Sequence, residues 1–420
     1  MGLMSPDWGS WSDRFRWRVS RRGNVVELWA DPDSIVMHAG RLEGEPIHAL
    51  TIEAADIAGV AALSLRAPFK NLRELCVDAM GVSGALVATM LERFHSPGLR
   101  SLTLSRVQLD GSGKAWRKVM SGALELERLE LSNCFTSGEA AAAWLRAAQV
   151  RPLERLRLPD NALFAGVESV ARQLHKAHPK LRELGLGANG LDGRSVCKVL
   201  RGLHPQELWL TLNPLGAEGM RRVAREIDGT PIRQIGLAHC QLGEVGARAM
   251  TLWLGGSALE HVFADGNGLG LESASHLATH WRRNLSGSLL LADNQLGDAG
   301  VAALVATSMG ERLRRFDLSS NGLSGYALRS IARSSHLNRL RELELSDNDL
   351  GDEGAIALSE SSLLGKLVEL DLSSNHITRV GARALAERAG KRLRSFWLLR
   401  GNDVPAMFVQ TMKSHGVGVV

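Results

Sequence analysis

A chain of 420 residues with 45% apolar content can bury a continuous core, which excludes general disorder and leaves two or three compact domains or one long repeat array. Its formal net charge is +5, and 41 of the 50 basic residues are Arg, a mark of a GC-rich bacterial genome more than of a nucleic-acid binder. The four cysteines, Cys76, Cys134, Cys197 and Cys240, form no CxxC pair, so neither a zinc knuckle nor a dithiol redox motif is indicated, and thiols this sparse fit a reducing, cytoplasmic setting.

No apolar run reaches the ~18 residues of a membrane span, and the N-terminus lacks the apolar core of a secretory signal. Residues 1–20 hold Trp8, Trp11, Trp17, Arg14, Arg16 and Arg18. They read either as part of an N-terminal cap or as an arm that contacts a partner or a membrane. A strand is predicted over about 24–29, through Val25, Val26 and Leu28, and a helix over about 33–42, so that residues 1–47 form a lead-in and cap.

From residue 48 onward one pattern recurs. Residues 289–304 read LLLADNQLGDAGVAAL, 316–331 FDLSSNGLSGYALRSI, 343–358 LELSDNDLGDEGAIAL and 370–385 LDLSSNHITRVGARAL. The shared core is L-x-L-x-x-N-x-L, followed by a turn and a small-and-apolar helical segment. Its Asn position runs back from Asn402 through Asn375, Asn348, Asn321, Asn294, Asn267, Cys240, Asn213, Asn189 and Asn161 to Cys134, and in degenerate form to Val107, Met80 and Ala55. Most steps are 27 residues, with one each of 28, 24 and 25. A period outranks any local motif, so residues 48–402 form an array of about 14 repeats of about 27 residues, and residues 403–420 a C-terminal cap.

These residues resemble the leucine-rich repeat family, whose pattern is LxxLxLxx(N/C)xL; Cys134 and Cys240 stand where that family admits Cys for Asn. The period, with an amphipathic helix after each strand, is similar to the ribonuclease-inhibitor-like subfamily. The lead-in WRVSRRGNVVELWADPDSIVMHAGRLEGEPIHALTI resembles the segment that precedes such repeats in planctomycete and myxobacterial proteins. The resemblance implies an α/β solenoid, a horseshoe with a parallel sheet on its concave face and helices on its convex face.

The physics of the pattern agrees. Each L-x-L is a strand whose two leucines face inward at period two, and a helical crossover makes successive strands parallel. Ala355, Ala357 and Leu358, or Ala382, Leu385 and Ala386, face the sheet from the helix. Gly219, Gly246, Gly300, Gly354 and Gly381 recur six residues after the Asn position and are expected to allow close helix–sheet packing. The short amide of each Asn is expected to satisfy buried turn backbone, building a ladder along the core.

Several local motifs fail on spacing. In DNDLGDEG an EF-hand starting at Asp347 would need Gly at its sixth position and Glu at its twelfth, where Asp352 and Leu358 stand. Asp349 is expected in solvent, with Asp352 and Glu353 at a helix N-terminus. GSGK at 111–114 lacks the flanking residues of a phosphate loop, having Gln108 and Ala115. His276 and His280 lie four apart on a predicted helix with no third ligand evident, so a solvent-facing helix is the reading. No metal, cofactor or catalytic group is expected.

The variable middle residues of the strands point at the concave face: Thr51, Cys76, Thr103, Glu130, Arg157, Gly185, Trp209, Gly236, Phe263, Leu290, Asp317, Glu344, Asp371 and Leu398. Trp209 and Phe263, two strands apart, are expected about 10 Å from each other. With Leu290 they make an apolar depression with aromatic anchors, flanked by His239, His261 and Asp265. Beyond it lies an acidic stripe, Asp317, Glu344 and Asp371, reinforced by Asp347 and Glu369; Glu130, Arg155 and Arg157 stand on the other side. These bulky residues read either as filling of the inner curve or as a binding surface. The binding reading gives a monomeric, non-enzymatic scaffold for a protein or peptide with a basic segment, and the acids repel nucleic acid from this face. The alternatives are an exported effector acting on host proteins and, by fold analogy, a GTPase-activating protein.

Overall fold

The computed structural model describes residues 18–22, 25–30, 35, 47–54, 72–94, 98–122, 125–254, 259–280, 286–390, 392–405, 408, 410 and 413. Apart from Ile35, the predicted helix over 33–42 lies outside them, as do the rung at Ala55, the arm before residue 18 and most of the C-terminal cap. The chain divides into two compact units, residues 1–191 with 198–205, and residues 192–197 with 206–420.

In the first unit the strands are β1 (Arg18–Arg22), β2 (Val25–Ala30), β3 (Ile47–Ala54), β4 (Glu74–Ala79), β5 (Ser101–Ser105), β6 (Arg128–Ser132), β7 (Arg155–Arg157) and β8 (Glu183–Gly185). β1 and β2 form an antiparallel pair; from β2 onward each strand pairs in parallel with the next. Its helices are α1 (Gly84–Phe94), α2 (Gly113–Gly122), α3 (Gly138–Ala148) and α4 (Val167–Ala177), and α5 (Gly193–Leu200) has residues in both units. The second unit has β9 (Glu207–Trp209), β10 (Gln234–Gly236), β11 (His261–Phe263), β12 (Ser288–Leu290), β13 (Arg315–Asp317), β14 (Glu342–Glu344), β15 (Glu369–Asp371) and β16 (Ser395–Trp397), all parallel and in sequence order. Between them run α6 (Gly216–Glu226), α7 (Gly243–Leu254), α8 (Leu271–His280), α9 (Gly297–Val305), α10 (Gly325–Arg333), α11 (Gly351–Ser359) and α12 (Arg379–Arg388).

The core lies between the strand and helix layers. In one repeat Leu343, Leu345, Leu350, Ala355 and Leu358 are all buried, whereas Ala357, expected to face the sheet, is half-exposed. Just before the Asn position the backbone turns left-handed: Asp160, Ala188, Leu212, His239, Asp293, Ser320, Asp347 and Ser374 have φ between 52° and 60°, with Gly266 and Gly401 in the same place. That corner brings the strand into the core-facing turn.

The ladder is built from these turns. Asn348 Oδ1 accepts from Asn321 N and Leu323 N, both at 3.0 Å, while Nδ2 donates to Leu318 O at 3.1 Å, Leu345 O at 3.0 Å and Ser346 O at 3.2 Å. Asn161, Asn189, Asn267 and Asn294 repeat the arrangement, so each amide reaches back to the preceding repeat. Cys240 keeps the donor half: Sγ reaches Leu210 O at 3.3 Å, but no oxygen faces the turn before it, and Leu215 N bonds instead to Asn213 O at 2.8 Å. The ladder fades toward the N-terminus. Val107 is still buried, but Met80 is 69% exposed and is no rung; the longer β4 buries Ala79 instead.

The recurrent glycines are explained differently from expectation. A Cβ on Gly354 would meet Gly325 Cα at 3.2 Å, and one on Gly300 would meet Ala274 Cβ at 3.3 Å. They admit the neighbouring helix rather than the sheet.

The acids of DNDLGDEG also bridge repeats. Asp352 accepts from Thr378 N at 2.8 Å, Thr378 Oγ1 at 2.6 Å and Gly381 N at 2.9 Å, so it caps α12, the helix of the following repeat. Asp298 does the same for Ser324 ahead of α10, and Asp110 for Thr136 ahead of α3. Asp349 is exposed as expected and meets His376 Nδ1 at 2.9 Å. Burial opposes ionisation of Asp352, yet the donors from Thr378 and Gly381 outweigh it and hold its carboxyl below the usual 3.8. A depressed carboxyl stabilises the fold above its unfolded pKa and loses that contribution as pH falls through the folded one. Asp352→Ala is therefore expected to cost about 1 kcal/mol near neutrality, as for a lost helix cap. The difference from wild type in urea midpoint narrows below pH about 4.

Candidate functional site

The open face of the second unit is fixed by strand register. Across β9 to β16 the outward positions follow as Trp209, Gly236, Phe263, Leu290, Asp317, Glu344, Asp371 and Trp397. A parallel row two residues earlier on each strand carries Glu207, Gln234, His261, Ser288, Arg315, Glu342, Glu369 and Ser395. The last outward residue is thus Trp397 and not Leu398, which is fully buried. Here the chain has one extra residue between strand and rung, so Asn402 Nδ2 donates to Leu398 O four residues back where Asn348 reaches Leu345 three back.

Trp209 and Phe263 do not stand about 10 Å apart. Their ring centroids are 5.1 Å apart with an interplanar angle of 41°. Gly236, on the strand between, makes this possible, because a Cβ there would fall 2.4 Å from Trp209 Cε3. The rings lean over the glycine and form one half-exposed apolar ridge beside Leu290. The depression expected between them is filled by their own contact.

The flanking residues have structural duties. His239 lies over Gly266, where a Cβ would come within 2.1 Å of Nδ1, and His261 lies over Gly287 with Nδ1 3.1 Å from Ser288 Oγ. Asp265 Oδ1 accepts from Ala292 N at 2.9 Å; burial pushes its carboxyl up, against the pull of that donor. Asp317 is 8% exposed and accepts from Ser319 N at 2.9 Å, and Asp371 accepts from Ser373 N at 2.8 Å. Glu344 is not a free acid: Arg315 donates to its Oε1 from Nε at 2.9 Å and Nη2 at 2.7 Å. Burial and then Asp317 still raise its carboxyl above the usual range, with Arg315 pulling it down. β13 to β15 therefore place Asp317, Glu342, Glu344, Glu369 and Asp371 around Arg315, and the patch stays strongly negative.

Arg157, in the first unit, lies across Gly185 and is held by the buried Glu183. The thiols are poor nucleophiles where burial acts on them: it pushes Cys76 up to about 11, and Cys134 and Cys240 up to about 12. The GSGK stretch opens α2, with Gly113 buried against Ala147 and Trp144. Among the described residues no group of three or more His, Cys, Asp or Glu side chains could hold a metal ion, and no helix is long and apolar enough to cross a membrane.

The sequential parallel strands, the helix that follows each from β4 to β15 and the Asn ladder define an α/β leucine-rich-repeat solenoid. A family model described as Leucine Rich repeat matches residues 288–305, 336–359 and 366–386, which supports the same assignment. The chain is 28% identical over 286 residues to a ribonuclease inhibitor of Sus scrofa; the match covers 57% of this chain and 62% of that protein, so the chain spans less than two thirds of that relative's length. Among solved structures it is similar to a yeast Rad7 and Elc1 complex, at 15% identity and a TM-score of 0.49, covering 93% of this chain and 86% of that one. It is also similar to an internalin from Listeria monocytogenes, at 17% identity and a TM-score of 0.40, covering 83% and 80%.

Proposed function

We propose that the protein is a non-enzymatic scaffold that binds a protein or peptide through the open, concave face of its sheet. The observation that carries this reading is the half-exposed Trp209–Phe263 ridge, continued by Leu290 up to the acidic patch of β13 to β15. An apolar ridge in water is costly to leave exposed, and aromatic anchors concentrate binding energy. The acids steer and orient a basic segment. Leu290 and Glu344 are two strands apart, about 10 Å, so an extended partner carries its cation about three residues from its apolar anchor. The relative named as an inhibitor of ribonuclease supports binding over catalysis, and the planctomycete and myxobacterial likeness of the lead-in supports a bacterial scaffold.

The test is fluorescence anisotropy with peptides in which Arg or Lys stands three residues from Leu or Phe. Trp209→Ala and Phe263→Ala are each expected to weaken binding by about 2 kcal/mol, roughly thirty-fold, as for interface anchors. Asp371→Asn is expected to flatten the salt dependence. Both rings are half-exposed, so the melting temperature changes little by comparison. Unchanged affinity together with a large loss of stability would show that the ridge is packing alone.

A further inference from the structure

The open face of the first unit carries a charged cluster that the aromatic ridge does not involve. Arg128, Arg155 and Glu183 are in register on β6, β7 and β8, and Thr103, Glu130 and Arg157 are in register on β5, β6 and β7. Together they line a hollow of about 210 Å³.

Two features separate this hollow from a surface ion-pair network. The first is a buried carboxylate. Glu183 is 2% exposed; Arg157 Nε donates to its Oε1, and Arg155 Nε lies 3.6 Å from Oε2. An ion so removed from water holds its partners strongly, because releasing them leaves it uncompensated. Gly185 gives Arg157 its path, since a Cβ there would sit 2.7 Å from Arg157 Cγ. The second feature is donor capacity left over. A guanidinium has five N–H donors in a rigid plane. The nearest approach of Arg155 to Glu183 is Nε at 3.6 Å, longer than a hydrogen bond, and the exposed Arg128 forms no ion pair among the described residues. Three guanidiniums against the carboxylates of Glu130 and Glu183 leave one positive charge in excess at the hollow.

We infer that this hollow is a carboxylate-binding subsite for an acidic peptide segment. Arg128 and Arg155 receive the carboxylate, and Glu183 is the positioning residue that fixes Arg155 and Arg157 in advance. Its volume admits one side chain or a chain end rather than a folded surface. The carboxylate comes either from a Glu or Asp side chain or from a peptide C-terminus.

The experiment uses the full chain and a fluorescein-labelled decapeptide of alternating Glu and Ala, read by fluorescence anisotropy at low salt. Saturable binding is expected, and Arg128→Gln and Arg155→Gln each weaken it by at least about ten-fold, as for a charge-assisted contact removed. Replacing every Glu of the peptide by Gln abolishes binding if side chains supply the carboxylate; amidating its C-terminus does so if the chain end supplies it. The Arg225→Gln/Arg248→Gln variant, altered in another hollow on the helix side, binds like wild type. Absence of saturable binding, equal affinity in an Arg128→Gln/Arg155→Gln variant, or an equal loss in the helix-side variant overturns the inference. Trp209→Ala leaves this binding unchanged, so its outcome is independent of the ridge.

Discussion

Asn348→Ala is expected to lower stability by about 3 kcal/mol, read as a fall in the urea midpoint, because the truncation strands several buried backbone groups together. The amide oxygen serves two N–H groups, of Asn321 and Leu323, and the amide nitrogen serves three carbonyls. Neighbouring rungs supply an internal comparison. Asn375 Nδ2 also donates, to Leu345 O and Ser373 O, but its buried Oδ1 has no hydrogen-bond partner among the described residues, because Asn348 N turns to Ser374 O. Asn375→Ala therefore forfeits donors alone and is expected to cost about half as much. Cys240→Ala, which removes one weak thiol donor, costs least, about 1 kcal/mol. An equal loss at all three positions would mean that the cavity, and not the hydrogen bonding, sets the cost.

The second large effect is steric. Gly193→Ala is expected to destabilise by about 3 kcal/mol, because the new methyl meets backbone that cannot rotate away. It would lie 2.3 Å from Gly219 Cα and 2.6 Å from Gly219 O, forcing α5 and α6 apart. Alanine's better helix propensity, worth about 1 kcal/mol, opposes this and is too small to win. Gly122→Ala in α2 is the control. Among the described residues nothing lies within 4 Å of a Cβ there, so the same exchange is expected to be neutral or mildly stabilising. Thermal melts of the two variants, side by side, decide the sign.

The period makes the solenoid legible, since inward leucines, rungs and helices must all recur at one spacing. It also places Trp209, Phe263, Leu290, Asp317, Glu344 and Asp371 on one face in the correct order. What it misses has physical causes. Counting back from Asn402 puts Leu398 outward because a fixed offset passes over the extra residue before the rung; the 26-residue step from Leu370 to Phe396 is the available signal. Strand spacing gives distances between backbones, not between long side chains, so it hides the Trp209–Phe263 contact although Gly236 stands between them in the sequence. In sequence the capping acids look local to their own helix. A recurring step of 26 residues from Asp to Thr or Ser, Asp110 to Thr136, Asp298 to Ser324 and Asp352 to Thr378, marks them as belonging to the next one. Pairing of Arg315 with Glu344, and of Glu183 with Arg155 and Arg157, depends on side-chain rotamers that no spacing encodes.

The two inter-repeat bonds point in opposite directions. A rung amide reaches back to the turn before it, whereas a capping aspartate reaches forward to the helix after it. Both span a single period, but the aspartate joints fall in alternate repeats of the regular stretch, Asp298 to Ser324 and Asp352 to Thr378, with Gly325 and Gly351 at the intervening positions. Removing or duplicating a block of two repeats, the 54-residue step from Asp298 to Asp352, remakes both joints like for like. Such a chain can lengthen or shorten by steps of two repeats while its individual residues stay tightly constrained. The variable outward positions travel with each block, so a new recognition surface arrives already supported.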